Sequence, residues 1–322
     1  MNHSPLLTPH PSRPSAVVFA YHNVGYRCLS VLLAHGIEVA LVLTHEDSPT
    51  ENIWFDSVAA LAARHDIPVI IPADANTPDV VARIKALQPD FIFSFYYRQM
   101  LKAEILAIPP RGAWNMHGSL LPKYRGRVPV NWAIIFGETE TGATLHEMVA
   151  KPDAGAILAR QAVPILPNDT AFEVFQKVTV AAEMALNDVL PALLAGTAPS
   201  LPNDLAAGSY FGGRKAEDGR IDWRQDAVAI HNLVRAVAPP YPGAFTTLDG
   251  RPLKVFGSLP EPRRQPRSLE PGLYTEGGRC FADCGQGERI AALRLTALEF
   301  DGAPLDAERF TALFGERKLP FN

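Results

Sequence analysis

The segment Trp114–Val130 (WNMHGSLLPKYRGRVPV) holds the densest set of residues able to do acyl chemistry. Asn115 and His117 stand two apart, so on an extended backbone their side chains leave the same face. An amide NH2 and an imidazole aimed at one point suit a carbonyl that is turning tetrahedral. The amide donates to the developing oxyanion and the imidazole carries a proton. Gly118 lets the chain turn sharply or lets a ligand come close. The plainer alternative is a polar turn in which His117 merely bonds a neighbour. The gathering of small, polar and basic residues at a strand end weighs against it. Asp153, two residues before Gly155, is on its own an acidic turn residue as readily as a functional one.

These residues need a frame, and the hydrophobic pattern supplies one. Apolar runs of strand length (16–21, 38–44, 68–71, 91–95) alternate with helical patterns (26–35, 53–65, 79–87). Runs without polar alternation indicate strands covered on both faces, as in a mostly parallel, doubly wound Rossmann-like α/β sheet. Such sheets bind ligands beyond the carboxyl ends of their strands, which points to the loops after Tyr21, Phe95 and Trp114. Strands over 113–116, 141–149 and 156–165, a helix near 130–136 and a long helix over 170–194 capped by Asn168 or Asp169 complete this part. The expected organisation is a disordered lead (1–15), a catalytic domain (16–200), a linker (201–220) and a C-terminal β-rich domain (221–322). In that last domain one helix over 226–237 precedes short strands, at 245–248, 253–256, 272–274 and 290–295, suited to a small OB-like β-barrel.

Composition narrows the function classes. Of 322 residues 47% are hydrophobic and 20% charged, and the formal net charge is −4, so nothing attracts polyanions in general. No nucleic-acid partner and no membrane is expected, and an oligomer is left open. No run approaches the ~20 apolar residues that span a bilayer. Three cysteines make no disulfide framework and no metal-ligand spacing, so reduced thiols, a cytoplasmic location and no metal are expected. Cys28 has no base nearby in sequence, which argues against a cysteine acyl-enzyme.

Asn115-Met-His117-Gly-Ser-Leu-Leu-Pro122, followed by Tyr124-Arg125-Gly126, closely resembles the signature of folate-dependent formyltransferases. Lys151-Pro152-Asp153-Ala154-Gly155 resembles the segment carrying that family's acidic residue. The resemblance runs from Val17 to about Phe245 and is weak beyond. It implies that Asn115 stabilises the oxyanion of the formyl carbonyl. His117 would shuttle a proton from the attacking amine to the departing nitrogen, and Asp153 would orient His117 and raise its pKa. It also implies 10-formyltetrahydrofolate as co-substrate, held by Gln99, Met100, Leu101, Arg127, Val149, Ala150, Lys151 and Pro152. Plain helix packing is the alternative for Met100 and Leu101.

The acceptor must be argued from other segments. Phe93–Arg98, Gly137–Gly142, His231–Val237 and Tyr241–Phe245 closely resemble the branch of the family that formylates the amine of UDP-4-amino-4-deoxy-L-arabinose, in lipid A modification and polymyxin resistance. The resemblance thus implies a small nucleotide-sugar substrate. Lys123, Tyr124 and Arg125, with Arg127 beside them, are the residues suited to its diphosphate, or else form a solvated loop. A dTDP-linked amino sugar is the first alternative. Methionyl-tRNA is the second, disfavoured by the net charge and by the absence of a basic loop or a Gly-Thr-Pro turn after the first strand. Hydrolysis of the formyl folate would need water in place of the amine. Dinucleotide binding would need a Gly-x-Gly-x-x-Gly that Tyr21–Gly25 lacks.

Overall fold

Strand β1 (Ser15–Ala20) is wholly apolar after its first residue and buried, and so is β4 (Phe91–Phe95) except for Ser94. In the computed structural model, which describes residues 13–49 and 52–321 apart from the side chain of Glu288, these two strands lie side by side and parallel. The expected disordered lead over 1–15 falls almost wholly outside the described residues. With β2 (Glu38–Leu43), β3 (Val69–Ile70), β5 (Ala113–His117), β7 (Glu140–Glu147) and β8 (Ile157–Pro164) they form a seven-stranded sheet of order β3-β2-β1-β4-β5-β7-β8. The first five are parallel to their neighbours, whereas β5 and β7 run antiparallel. The chain moves outward from β1 to β3 and then returns to β4 on the other side of β1. That reversal is the switch point at which open α/β sheets hold ligands.

Two expected helices have different bounds, for reasons the packing supplies. Helix α1 (His22–Ala34) begins four residues early, and Gly25 N–H reaches Tyr21 carbonyl at 3.1 Å to close its first turn. Helix α2 (Val58–Arg64) starts late because Ser57 caps it, accepting from Ala60 N–H. Trp54 and Phe55 are instead drawn onto His22, with ring centroids 4.6 and 4.0 Å away. Helix α6 (Ala171–Ala195) is capped by Thr170, not by Asn168 or Asp169: Thr170 and Glu173 exchange bonds of 2.7–3.3 Å in a capping box. Among the described residues α6 alone is long and apolar enough to cross a membrane, contrary to the reading that no run comes near that length. Half of its most apolar window is buried inside the protein.

The chain forms two compact units that interleave in sequence. The first takes the residues up to His117, Ala143–Gln161 and Thr179–Ala207; the second takes Gly118–Gly142, Ala162–Val178 and everything from Gly208. The stretch expected as a linker is tied down. Leu201 pairs with Ile157, and β9 (Tyr210–Phe211) runs parallel to β6 (Arg125–Gly126). Gly126 is required there: its φ is +99°, and a Cβ would sit 2.1 Å from the carbonyl oxygen of Phe211.

In the second unit an antiparallel sheet curls through β10 (Ala244–Leu248), β11 (Arg251–Pro260), β14 (Ala291–Phe300), β13 (Arg279–Cys284), β12 (Gly272–Glu276) and β16 (Leu319–Pro320). A lone bridge between Leu248 and Phe321 ties its last strand to its first. Its core gathers Leu253, Val255, Leu293 and Phe300 under helices α7 (Ala227–Ala236) and α8 (Ala307–Phe314). Asp283 is fully buried inside it. It accepts from Lys318 Nζ at 2.6 Å, from the Arg267 and Ser268 amides at 2.9 and 3.0 Å, and from Tyr274 Oη at 3.2 Å. That carboxylate pins the loop over 259–269 (LPEPRRQPRSL) to the sheet through its Arg267 and Ser268 amides.

Candidate active site

Asn115 and His117 lie on β5 itself and not in a loop after Trp114. The antiparallel register sets Asn115 opposite His146 and His117 opposite Thr144, so all four side chains share one face. Asn115 Nδ2 is 3.0 Å from His146 Nε2, and His146 Nδ1 is 2.8 Å from the Glu147 carbonyl. A carbonyl only accepts, so a neutral His146 carries its proton on Nδ1 and takes a hydrogen bond from the Asn115 amide on Nε2. His146 therefore dictates which end of the Asn115 amide is the NH2. Sequence reading missed this residue. The signal for it was an Asn-x-His on one strand facing a Thr-x-His on the next.

Asp153 completes the group. Its Oδ1 lies 3.7 Å from His117 Nδ1 and 3.5 Å from His146 Nε2, longer than a hydrogen bond but close for an ion pair. The imidazoles are almost fully buried and the carboxylate is 13% exposed, so water screens the pair weakly. Backbone geometry holds the carboxylate in place. Asp153 sits at φ +49°, and a Cβ on Gly155 would meet the Glu147 carbonyl oxygen at 2.1 Å. Asn203 Nδ2 donates to the carbonyls of both Asp153 and Gly155, at 3.0 and 3.1 Å. Asn203 came from the expected linker, where composition gave no hint of its use.

The residues expected to hold a folate fall into three groups. Gln99 spends its side chain on the Ala75 amide and the Ala73 carbonyl, and Leu101 is packed into the core, so these two offer main-chain groups to a ligand. Met100 and Val149 are exposed apolar side chains on loops of the first unit, next to the exposed Ala150 and Lys151 and the half-buried Pro152. Arg127 belongs to the second unit and is exposed. Exposed apolar side chains such as Met100 and Val149 fit the face of a flat heterocycle.

A cluster of rings at the carboxyl ends of β1, β2 and β4 was not foreseen. His22 stacks on Phe55, His45 stacks on Tyr97 at 4.2 Å, and Arg98 lies 4.6 Å over Tyr21. Burial, aided by Arg98, lowers the His22 pKa to about 3 and pulls His45 down as well. All three cysteines are free and buried, and burial raises the Cys280 and Cys284 thiols to about 11 and 12. Such thiols are poor nucleophiles.

In the second unit the expected substrate residues divide. Lys123 pairs with Glu138 at 3.1 Å, and Tyr124 Oη donates to the same carboxylate at 3.0 Å. Among the described residues Arg125 has no carboxylate partner. His231, Asn232 and Arg235 are structural: His231 bonds Ser258 and the Pro167 carbonyl, and Arg235 bonds Asn232 and two further carbonyls.

Two family models match the chain in order. The formyl transferase model covers residues 30–190, half of the sequence, and the formyl transferase C-terminal domain model covers 214–314. The chain belongs to the formyltransferase family. The second match reaches well past Phe245, where the sequence resemblance faded. Solved formyltransferases share the fold at low identity. WlaRD, a sugar 3-N-formyltransferase crystallised with dTDP and 5-N-formyl-THF, is 18% identical with a TM-score of 0.67, over 88% of this chain and 97% of its own. The Helicobacter canadensis N-formyltransferase, solved with folinic acid and dTDP-3-aminofucose, has the same identity and score over 88% and 99%. A Francisella tularensis 4-N-formyltransferase is 20% identical with a TM-score of 0.58, over 72% and 91%.

Proposed function

We propose that this formyltransferase moves a formyl group from 10-formyltetrahydrofolate to the 4-amino group of UDP-4-amino-4-deoxy-L-arabinose. The observation that carries the reading is the convergence of an amide donor, an imidazole and a carboxylate on one face of β5 and β7. The folate supplies the formyl carbon. Asn115 donates its second N–H to the oxyanion that forms as the amine attacks. His117, whose Nδ1 faces Asp153, takes the amine proton on Nε2 and returns it to the nitrogen that leaves. Asp153 stabilises the imidazolium in between, and Asn203 and His146 keep Asp153 and Asn115 in register. Gln99, Met100, Leu101 and residues 149–152 are the first unit's residues for the folate, and Lys123, Tyr124 and Arg125 are the second unit's residues for the nucleotide sugar.

Folate fits because WlaRD and the Helicobacter canadensis enzyme were crystallised with folate derivatives, and a nucleotide sugar fits because they carried dTDP ligands. Within that class the arabinose nucleotide rests on the segments Phe93–Arg98, Gly137–Gly142, His231–Val237 and Tyr241–Phe245. It would place the enzyme in the cytoplasm, in lipid A modification. A dTDP-linked amino sugar is the second reading, favoured by the ligands of those two structures. The test is mass detection of formyl transfer from 10-formyltetrahydrofolate onto a panel of UDP- and dTDP-amino sugars and initiator methionyl-tRNA. Transfer to the arabinose nucleotide is expected, and it should fall by two or more orders of magnitude in His117→Ala and Asp153→Ala. Near-normal turnover in either variant refutes the catalytic assignment, and preference for another acceptor refutes the substrate.

A further inference from the structure

The residues that follow β4, from Arg98 to Lys102, are fastened to the rest of the first unit through side chains. His45 Nε2 accepts from the Arg98 amide at 3.0 Å. The Gln99 side chain reaches the Ala75 amide and the Ala73 carbonyl at 2.8 and 2.9 Å. Asn76, in the segment between β3 and helix α3 (Pro78–Leu87), makes the widest clamp. Its Nδ2 donates to the Met100 carbonyl at 3.0 Å, and its Oδ1 accepts from the Lys102 amide at 2.7 Å. One side chain thus grips the main chain on both sides of Leu101.

Asn76 is itself aligned by Asp74, whose Oδ1 accepts from the Asn76 amide at 2.8 Å and from Asn76 Nδ2 at 3.0 Å. Those two bonds, with the charge of Lys102 adding to them, hold the Asp74 carboxyl below the usual carboxylate range. An ionised carboxylate only accepts, and so does the Met100 carbonyl, so both require the NH2 end of the Asn76 amide. The Lys102 N–H requires the oxygen end. All three partners agree on one orientation. Leu101 is the residue that the clamp leaves out. It is 8% exposed, and its side chain belongs to the core that holds Ala75, Val81 and Ile105. Among the described residues its N–H and C=O make no hydrogen bond. Main-chain groups in so buried a residue need a partner from outside the chain.

We propose that Asn76, aligned by Asp74, is a positioning residue for the formyl donor. By holding the Met100 carbonyl and the Lys102 amide, it keeps the main chain of Leu101 ready to pair with the edge of the donor's heterocycle. A loop fixed in advance is not ordered at the ligand's expense, so the clamp acts on donor affinity and not on the chemical step. This role rests on the reading above that Gln99, Met100 and Leu101 belong to the folate site.

The test combines isothermal titration of the full chain with folinic acid and steady-state formyl transfer from 10-formyltetrahydrofolate. Asn76→Ala should weaken folinic acid binding and raise the donor KM about tenfold, the effect of one or two lost hydrogen bonds. At saturating donor, kcat and the acceptor KM should stay within about twofold of the wild type. Asn76→Asp should do no better than Asn76→Ala, because it cannot donate to the Met100 carbonyl and it faces the Asp74 carboxylate. Asp74→Ala should weaken binding about threefold, and Asp74→Asn, which keeps an acceptor, should restore it. Unchanged folinic acid affinity in Asn76→Ala, or Asp74→Asn as weak as Asp74→Ala, overturns the role. A fall in kcat as large as the rise in KM also overturns it, because that marks a general distortion of the site. Hydrogen exchange separates this role from the folate-site reading. Folinic acid should slow exchange at residues 99–102 of the wild type. If it does, and Asn76→Ala binds it as tightly, the folate site stands and the role of Asn76 falls. If bound folinic acid leaves exchange there unchanged, the donor sits elsewhere and both fall.

Discussion

Replacing His146 with phenylalanine tests whether a residue that need not touch substrate sets the catalytic amide. The Asn115 NH2 spends one N–H on His146 Nε2 at 3.0 Å, in a spot where His146 is 2% exposed. An apolar ring there leaves that donor unmet, at a cost of about 1–3 kcal/mol, which the amide escapes by turning its oxygen towards the active face. If the productive orientation is disfavoured by that amount, turnover falls roughly 5- to 150-fold. The ceiling is the loss in Asn115→Ala, expected at about 10²- to 10³-fold. Because His146 acts through Asn115, the double variant should be no slower than Asn115→Ala alone. His146→Gln, which keeps an acceptor, should recover part of the rate. The cycle is run against Asn115 because His146 also lies 3.5 Å from Asp153. Single-turnover rates at saturating substrates, with circular dichroism to confirm folding, read it directly. Multiplicative effects of the two single changes would refute the reasoning.

Three further outcomes follow from buried contacts. Asn203→Ala removes both bonds to the Asp153–Gly155 loop, so turnover should drop about tenfold and amide exchange at residues 153–155 should quicken; unchanged exchange there would contradict it. His22 has a folded pKa of about 3, against ~6.5 unfolded, so between those values the unfolded chain alone binds the proton. Stability is full above pH ~6.5 and falls as the pH drops towards 3, by about 1.4 kcal/mol per unit; His22→Asn should flatten that slope in urea titrations at pH 7 and 4. Asp283→Ala leaves the Arg267 and Ser268 amides without their acceptor and the Lys318 ammonium without its buried counter-charge, although Lys318 keeps Ser268 Oγ and the Glu270 carbonyl, and should cost about 3–5 kcal/mol of stability in denaturant unfolding.

The strands of the first sheet were legible because burial on both faces writes uninterrupted apolar runs such as Phe91–Phe95. Asn115 and His117 were legible because alternation on one strand is a local property. His146 and Asn203 were not, since each acts through a partner far along the chain, and only strand register or a folded loop brings them together. Trp54 and Phe55 misled for the opposite reason: their apolar character fitted a helix, yet stacking on His22 drew them out of it. In the C-terminal region β13 escaped notice because its inward residues, Cys280, Ala282 and Cys284, are small and carry little strand signal. Asp283 lies among them and reads as a turn residue until Lys318 and the Arg267–Ser268 amides are seen around it.

The interleaving of the two units has a consequence for how the chain must be made. The face that carries Asn115, His117, His146 and Asp153 is not held until Asn203 has left the ribosome, although β1, the first strand of its sheet, is synthesised nearly two hundred residues earlier. Meanwhile Gly118–Gly142 and Ala162–Val178 wait for partners that begin only at Gly208. No cut at one peptide bond yields two self-sufficient halves, and a fragment stopped at residue 200 should be an aggregation-prone intermediate, not a small enzyme.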